Sequence, residues 1–253
     1  MSDMTQMAKM AETLQSSLKL KTAPVAVCVM DAAPAGIAAH QGAVAAGCQF
    51  WGEGATQAFN TTAKDHENCS IGMFTHHMNM GAGPQTDLND SLKVMGDLGY
   101  VRPADIPLIP VLKQEAKNVV YSPLGLAPKV PDAVLLFANY PQGLVISEAV
   151  QQVENAISPV LGRPACGVIP QVANSGKAAL SLGCCGARAY VDAMSDDMAL
   201  WALPGANISA YVERIEALSK ANDILTKFHS IRRADVASGK SPTVQDSLVR
   251  LQG

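Results

Sequence analysis

Asp132-Ala-Val-Leu-Leu-Phe-Ala138, then Asn139-Tyr-Pro-Gln-Gly, then Leu144 to Ile157: the reading of this stretch decides the fold. The first segment is an apolar run of strand length and reads as a buried strand. The second carries turn residues. The third places Val145, Ala149, Val153 and Ala156 at helical spacing. A strand that feeds directly into a helix is a unit of α/β architecture.

Toward the N-terminus, Val119–Ser122 reads as extended, and Pro103, Pro107 and Pro110 punctuate the connection before it. Asp87 to Leu98 is predicted as a helix. A loop through His66-Glu-Asn-Cys69 enters an earlier helix, which Gly81-Ala-Gly-Pro84 is expected to end. Further helices are predicted at about 48–57 and at 4–18, with strands at Val25–Met30 and Phe59–Ala63. Toward the C-terminus, Asn174-Ser-Gly-Lys177 reads as a flexible turn and Met198–Leu203 as a strand. A long helix follows Pro204-Gly205 to about Phe228. The expectation is a single α/β or α+β domain, residues 1–238, with a mixed sheet and packed helices. Residues 239–253 are expected as a solvated C-terminal extension.

The chain has 253 residues, enough to bury a sizeable core. Charged residues make up only 16% and the net charge is −3, so no electrostatic reason exists to expect nucleic acid or anionic lipid as a partner. A surface with so few charges leaves apolar area exposed, in keeping with a homodimer or a partner protein. The N-terminus lacks a signal pattern, and the longest apolar runs are too short to span a membrane, which leads to a cytoplasmic expectation. Thiols stay reduced there, so the six cysteines are read as core, metal ligands or redox groups before disulfides.

Four of them share a local chemistry. Gly47 precedes Cys48, Gly167 follows Cys166, and Gly183 and Gly186 bracket Cys184-Cys185. Cys48, Cys69 and Cys184 fall where a loop turns into a helix, a place where glycine permits close approach and free amides stabilise an anionic sulfur. Four such thiols suit an iron–sulfur cluster, [4Fe–4S] or [2Fe–2S], or a tetrahedral zinc. Buried cysteines that merely fill a core are the competing reading, and Cys28, within an apolar strand run, is assigned to it.

Pro24-Val-Ala-Val27, Cys48, His66-Glu-Asn-Cys69-Ser-Ile-Gly72, Ala165-Cys166, Ser181-Leu-Gly-Cys-Cys-Gly-Ala-Arg188 and Ala202-Leu-Pro-Gly205 together resemble the uncharacterised prokaryotic ArCR family (domain of unknown function 169). The likeness runs from roughly 10 to 225, and Ser181 to Arg188 is its most specific part. It implies a shared site with one cysteine at each of the four positions, and no reaction. Cys185, beside Cys184, is where this chain departs from that pattern.

Around the cysteines, His66 is a candidate ligand or hydrogen-bond donor to a ligand. Arg188, four residues after Cys184, is expected on the same helical side, where it would balance negative charge. His76-His77-Met78-Asn79-Met80 has soft-metal character, although adjacent helical side chains diverge. No G-x-S-x-G or H-E-x-x-H motif points to a standard hydrolase. The leading expectation is therefore a redox or electron-transfer protein with a [4Fe–4S] cluster on Cys48, Cys69, Cys166 and Cys184. Arg188, His66, Gly183 and Gly186 would surround that cluster. The partner would be a redox protein or a small-molecule substrate. The alternatives are a metal-free cysteine-dependent enzyme acting through Cys184 or Cys69, and a pocket for haem or another small molecule.

Overall fold

The computed structural model describes residues 3–252. In chain order the helices are α1 (Asp3–Leu18), α2 (Gln49–Gly54), α3 (Ser70–Thr75), α4 (Ala82–Asp97), α5 (Tyr140–Glu154), α6 (Val168–Ser175), α7 (Cys185–Tyr190), α8 (Ile208–Ala237) and α9 (Val244–Gln252). The strands are β1 (Val25–Met30), β2 (Phe59–Thr61), β3 (Asn118–Pro123), β4 (Ala133–Asn139), β5 (Val160–Leu161), β6 (Ala179–Ser181) and β7 (Met198–Leu203). They form one mixed sheet in the order β2-β3-β1-β4-β7-β6-β5. Its pairings are antiparallel except β5 with β6.

Both faces of this sheet are covered. Val25, Val27, Ala133, Leu135, Phe137, Leu200 and Ala202 point to one side, with Phe50, Trp51, Met73, Val168 and Ile169 packed on them. Ala26, Cys28, Val134, Leu136, Ala138, Trp201 and Leu203 point to the other, with Leu14, Ile146 and Tyr211 packed on them. Alternate side chains of one strand thus enter two different cores, which is why β4 and β7 are apolar throughout and show no period-2 pattern. The long helices α1, α5 and α8 form one layer. The other layer is built of the short helices α2, α3, α6 and α7, and it carries Cys48, Cys69, Cys166 and Cys184.

Several boundaries differ from the sequence reading. Asn139 to Gly143 is not a free turn: Asn139 caps α5, its side chain accepting from the Gln142 amide while the Gln142 side chain accepts from the Asn139 amide. Gly81 to Pro84 starts a helix instead of ending one, because α3 already stops at Thr75 and Gly81 is the cap residue of α4. Asn174 is anchored, donating to the Val111 carbonyl and accepting from the Lys113 amide, and Gly176 ends α6 in a left-handed conformation. Helix α8 runs past Phe228 to Ala237. The segment after Gly239, expected as a solvated extension, folds into α9, tied back by Arg250 and Lys240 on Asp235, although most of its residues remain exposed.

Candidate functional site

Cys48, Cys69, Cys166 and Cys184 line one cavity of about 190 Å³ between the short-helix layer and a roof formed by Leu92 and Met95 of α4 with Tyr100, Val101 and Ile109 after it. Trp51, Ile71 and Ala187 make most of the remaining wall apolar. The four cysteines come from four separated pieces of chain. Cys48 precedes α2, Cys69 caps α3, Cys166 lies in the 3-10 turn Ala165–Gly167 that leads into α6, and Cys184 caps α7. The loop-to-helix placement read from the sequence is what the fold shows.

The local chemistry follows from that placement. Cys184 Sγ accepts from the Ala187 amide at 3.5 Å, and Cys166 Sγ lies 3.3 Å from the Thr75 hydroxyl, which also reaches the Gly72 carbonyl at 3.0 Å. Burial pushes the Cys48 thiol up to about 12, with Cys69 and Cys184 adding to the rise. Burial raises Cys166 as well, followed by Cys69, with the Thr75 hydrogen bond working against it. These mutual effects place the sulfurs within electrostatic reach of one another. Without a cation between them, Cys48 and Cys166 are neutral thiols at neutral pH.

His66 and His76 also line the cavity, and both are almost fully buried. Thr61 Oγ1 donates its single proton to the Val119 carbonyl, so at 3.1 Å it accepts from His66 Nε2. His76 Nδ1 donates to the Gly72 carbonyl at 2.9 Å. These hydrogen bonds assign the tautomers, and His66 Nδ1 and His76 Nε2 are then lone pairs without a partner among the described residues. Burial holds His66 well below the ordinary imidazole range, helped by His76 and His40, and lowers His76 to about 4. Two glycines make room for this group. A Cβ on Gly47 would stand 2.9 Å from His66 Nδ1, and one on Gly72 would stand 2.8 Å from Cys69 Sγ.

Other expected residues fall elsewhere. Arg188 turns away from the cavity, its guanidinium donating to the carbonyls of Leu182, Met194, Ser195 and Met198. Gly183, at φ +90°, sits under that side chain, where a Cβ would meet Met194 and Arg188. Both hold the chain around Cys184 in place and do not touch the cavity. Gly186 does line it, and Cys185 stands exposed at its mouth, accepting from the Tyr100 hydroxyl at 3.6 Å. Of the His76-His77-Met78 stretch only His76 reaches the cavity. His77 points to the Leu112 carbonyl and Met78 fills the core. Cys28 is buried on the opposite face of the sheet. Sequence reasoning gave no site role to Tyr100, Arg163 or Trp51, which lack any local motif.

The fold and this site define a protein with a two-sided mixed sheet and a cysteine-lined chamber in its short-helix layer. The sequence profile of the uncharacterised ArCR family (domain of unknown function 169) matches residues 13–214, and the chain belongs to that family. All four chamber cysteines lie within the match. No curated protein and no solved structure matches the chain. Among the described residues no helix is long and apolar enough to cross a membrane, and no three His, Cys, Asp or Glu side chains are placed to hold a single metal ion.

Proposed function

We propose that the chamber holds a compact iron–sulfur centre, a [4Fe–4S] cluster, on Cys48, Cys69, Cys166 and Cys184, and that the protein has a redox role in the cytoplasm with a partner protein. The observation that carries this reading is that four cysteines, far apart in the chain, line one small apolar cavity. When bound, such a cluster supplies one-electron transfer at a potential set by burial and by hydrogen bonds to its sulfurs. The Ala187 amide is a donor of that kind. The wall around the sulfurs is largely apolar, and each of the four cysteines remains partly exposed.

The alternatives find less support. Tetrahedral zinc needs four donors within about 2.3 Å of one point, and no such grouping occurs among the described residues. Thiols spread around a cavity suit a polynuclear centre better. A tetrapyrrole needs a site in or above the range of roughly 300–1,000 Å³ typical of ligand pockets, and the chamber is smaller, at about 190 Å³. A metal-free nucleophile needs a lowered thiol pKa and a cationic neighbour. Of the neighbours that could serve Cys184 or Cys69, His66 is held neutral and Arg188 is turned away.

The test is anaerobic purification with a visible spectrum and iron, sulfide and zinc analysis on one sample. About four irons and four sulfides per chain, reduced in Cys48→Ser and Cys184→Ser, are expected. A folded, colourless protein that takes up no iron on reconstitution overturns the reading.

A further inference from the structure

Size decides what the chamber exchanges with its surroundings. A cavity of roughly 150 Å³ holds one benzene, and on that scale the chamber, at about 190 Å³, holds about eight heavy atoms. A [4Fe–4S] core fills that space and leaves no room for a substrate beside it, so the cluster itself has to pass through the mouth. Five thiols line the cavity, one more than such a core has irons to bind. The fifth, Cys185, stands exposed at the mouth, directly after the half-buried Cys184. Cys184 Sγ is turned inward and accepts from the Ala187 amide, while Cys185 Sγ accepts from the Tyr100 hydroxyl at 3.6 Å. Burial raises the Tyr100 hydroxyl, and Cys185 and then Cys184 raise it further, so both sulfurs lie within electrostatic reach of one hydroxyl. Gly186 has nothing within 4 Å of a Cβ position, which leaves the entrance clear. Above it the exposed Arg163 stacks its guanidinium on the Tyr100 ring. Among the described residues no ion pair includes Arg163.

We propose that Cys185 is the entry ligand of the chamber: it takes one iron of a cluster brought by a thiolate-bearing donor and passes that iron to Cys184. In the first exchange the iron–sulfur bond to a donor thiolate breaks and a bond to Cys185 Sγ forms, the Cys185 proton leaving on the departing thiol. In the second, Cys184 displaces Cys185 from the same iron, and the Cys184 proton passes to Cys185. No electrons change hands. Thiolate is the form of cysteine that binds metal, and the Tyr100 hydroxyl donating to Cys185 Sγ favours that form at the moment of exchange. A [4Fe–4S] core with four thiolates is anionic, and the unpaired Arg163 draws it to the mouth. In the loaded protein Cys48, Cys69, Cys166 and Cys184 hold the four irons and Cys185 is free again. The inference rests on the cluster reading above and adds how the cluster reaches its place.

The probe is a synthetic [4Fe–4S] core carrying four 2-mercaptoethanol thiolates, mixed anaerobically with the metal-free protein. Visible circular dichroism follows its transfer into the protein, because the probe itself is achiral, and bound iron is measured at the end. Cys185→Ser is expected to reach the same final iron content as the unaltered chain, about ten-fold more slowly. Cys184→Ser should end with less iron. Arg163→Gln should slow uptake about ten-fold at low salt and lose most of that deficit at high salt. Cys185 and Arg163 are both exposed, and Cys185→Ala repeats the test if the serine variant does not fold. An unchanged rate in Cys185→Ser overturns the proposal. A final iron content lowered as far as in Cys184→Ser also overturns it, since Cys185 would then be a permanent ligand. Absence of uptake by the unaltered chain overturns the cluster reading and this inference together, whereas uptake indifferent to Cys185 overturns this inference alone.

Discussion

His76 is fully enclosed, and burial lowers its pKa to about 4 against the ordinary 6.5, with the Gly72 carbonyl pulling the other way. In the unfolded chain the same imidazole takes up its proton near ~6.5. Between those two values the unfolded state holds a proton that the folded state does not, so stability falls as pH drops from about 6.5 toward 4. The displacement corresponds to about 3 kcal/mol when complete. His66, also lowered by burial, acts with the same sign. Urea unfolding of the metal-free protein should show a lower midpoint at pH 5 than at pH 7, with a smaller drop in His76→Gln. Parallel drops in the two proteins would remove His76 as the source. The same residue scale shows what the sequence made legible. Of the glycines read beside the cysteines, Gly47 stands where the chamber excludes a Cβ, whereas Gly183 makes room for Met194 and Arg188 and Gly186 faces open space. Arg188 was misplaced for a definite reason. Four-residue spacing puts two side chains on one face only when both residues are helical. Cys184 is a cap with extended backbone, φ −114° and ψ 174°, so its sulfur and Arg188 diverge.

At the scale of elements, α5 owes its start to the reciprocal hydrogen bonds of Asn139 and Gln142. Asn139→Ala removes a side-chain acceptor at the N-terminus of a helix packed on the sheet. It should cost about 1 kcal/mol, a drop of roughly 2–4 °C in Tm for a domain of this size. Thermal unfolding followed by circular dichroism measures it. An unchanged Tm would mean that packing of Val145, Ile146 and Ala149 alone sets the helix. The strand and helix of this unit were legible because each has an unbroken apolar signature. The residues between them were not, since Asn, Pro and Gly announce a boundary without its direction. The same ambiguity turned Gly81 to Pro84 from a stop into a start. Proline fits the first turn of a helix as readily as it follows the last. Helix α9 escaped notice because its residues are mostly exposed and its anchors, Arg250 and Lys240 on Asp235, reach back to a different helix.

At the scale of the whole molecule, the two layers are stabilised differently. The α1, α5 and α8 layer packs long helices on a continuous apolar sheet face, which is sufficient for a stable core. The opposite layer is divided among α2, α3 and α7, each of six residues, and α6, of eight. Helices this short have little stability of their own, so they depend on the sheet beneath and on whatever joins them at the chamber. A cluster bound by Cys48, Cys69, Cys166 and Cys184 would tie four distant segments together, and its binding energy would add to the folding free energy. Anaerobic removal of iron with a chelator should therefore lower Tm. A loss of about 2 kcal/mol would appear as roughly 4–8 °C. The loss should be larger by probes of the chamber layer than by probes of the opposite one. Trp51 lines the chamber while Trp201 packs on the far face of the sheet, so Trp51→Phe and Trp201→Phe variants report the two layers separately by fluorescence. If iron removal leaves both transitions unmoved, the thiols do not cross-link these segments. The short-helix layer must then be held by the sheet contacts of Phe50, Met73, Val168 and Ile169 alone.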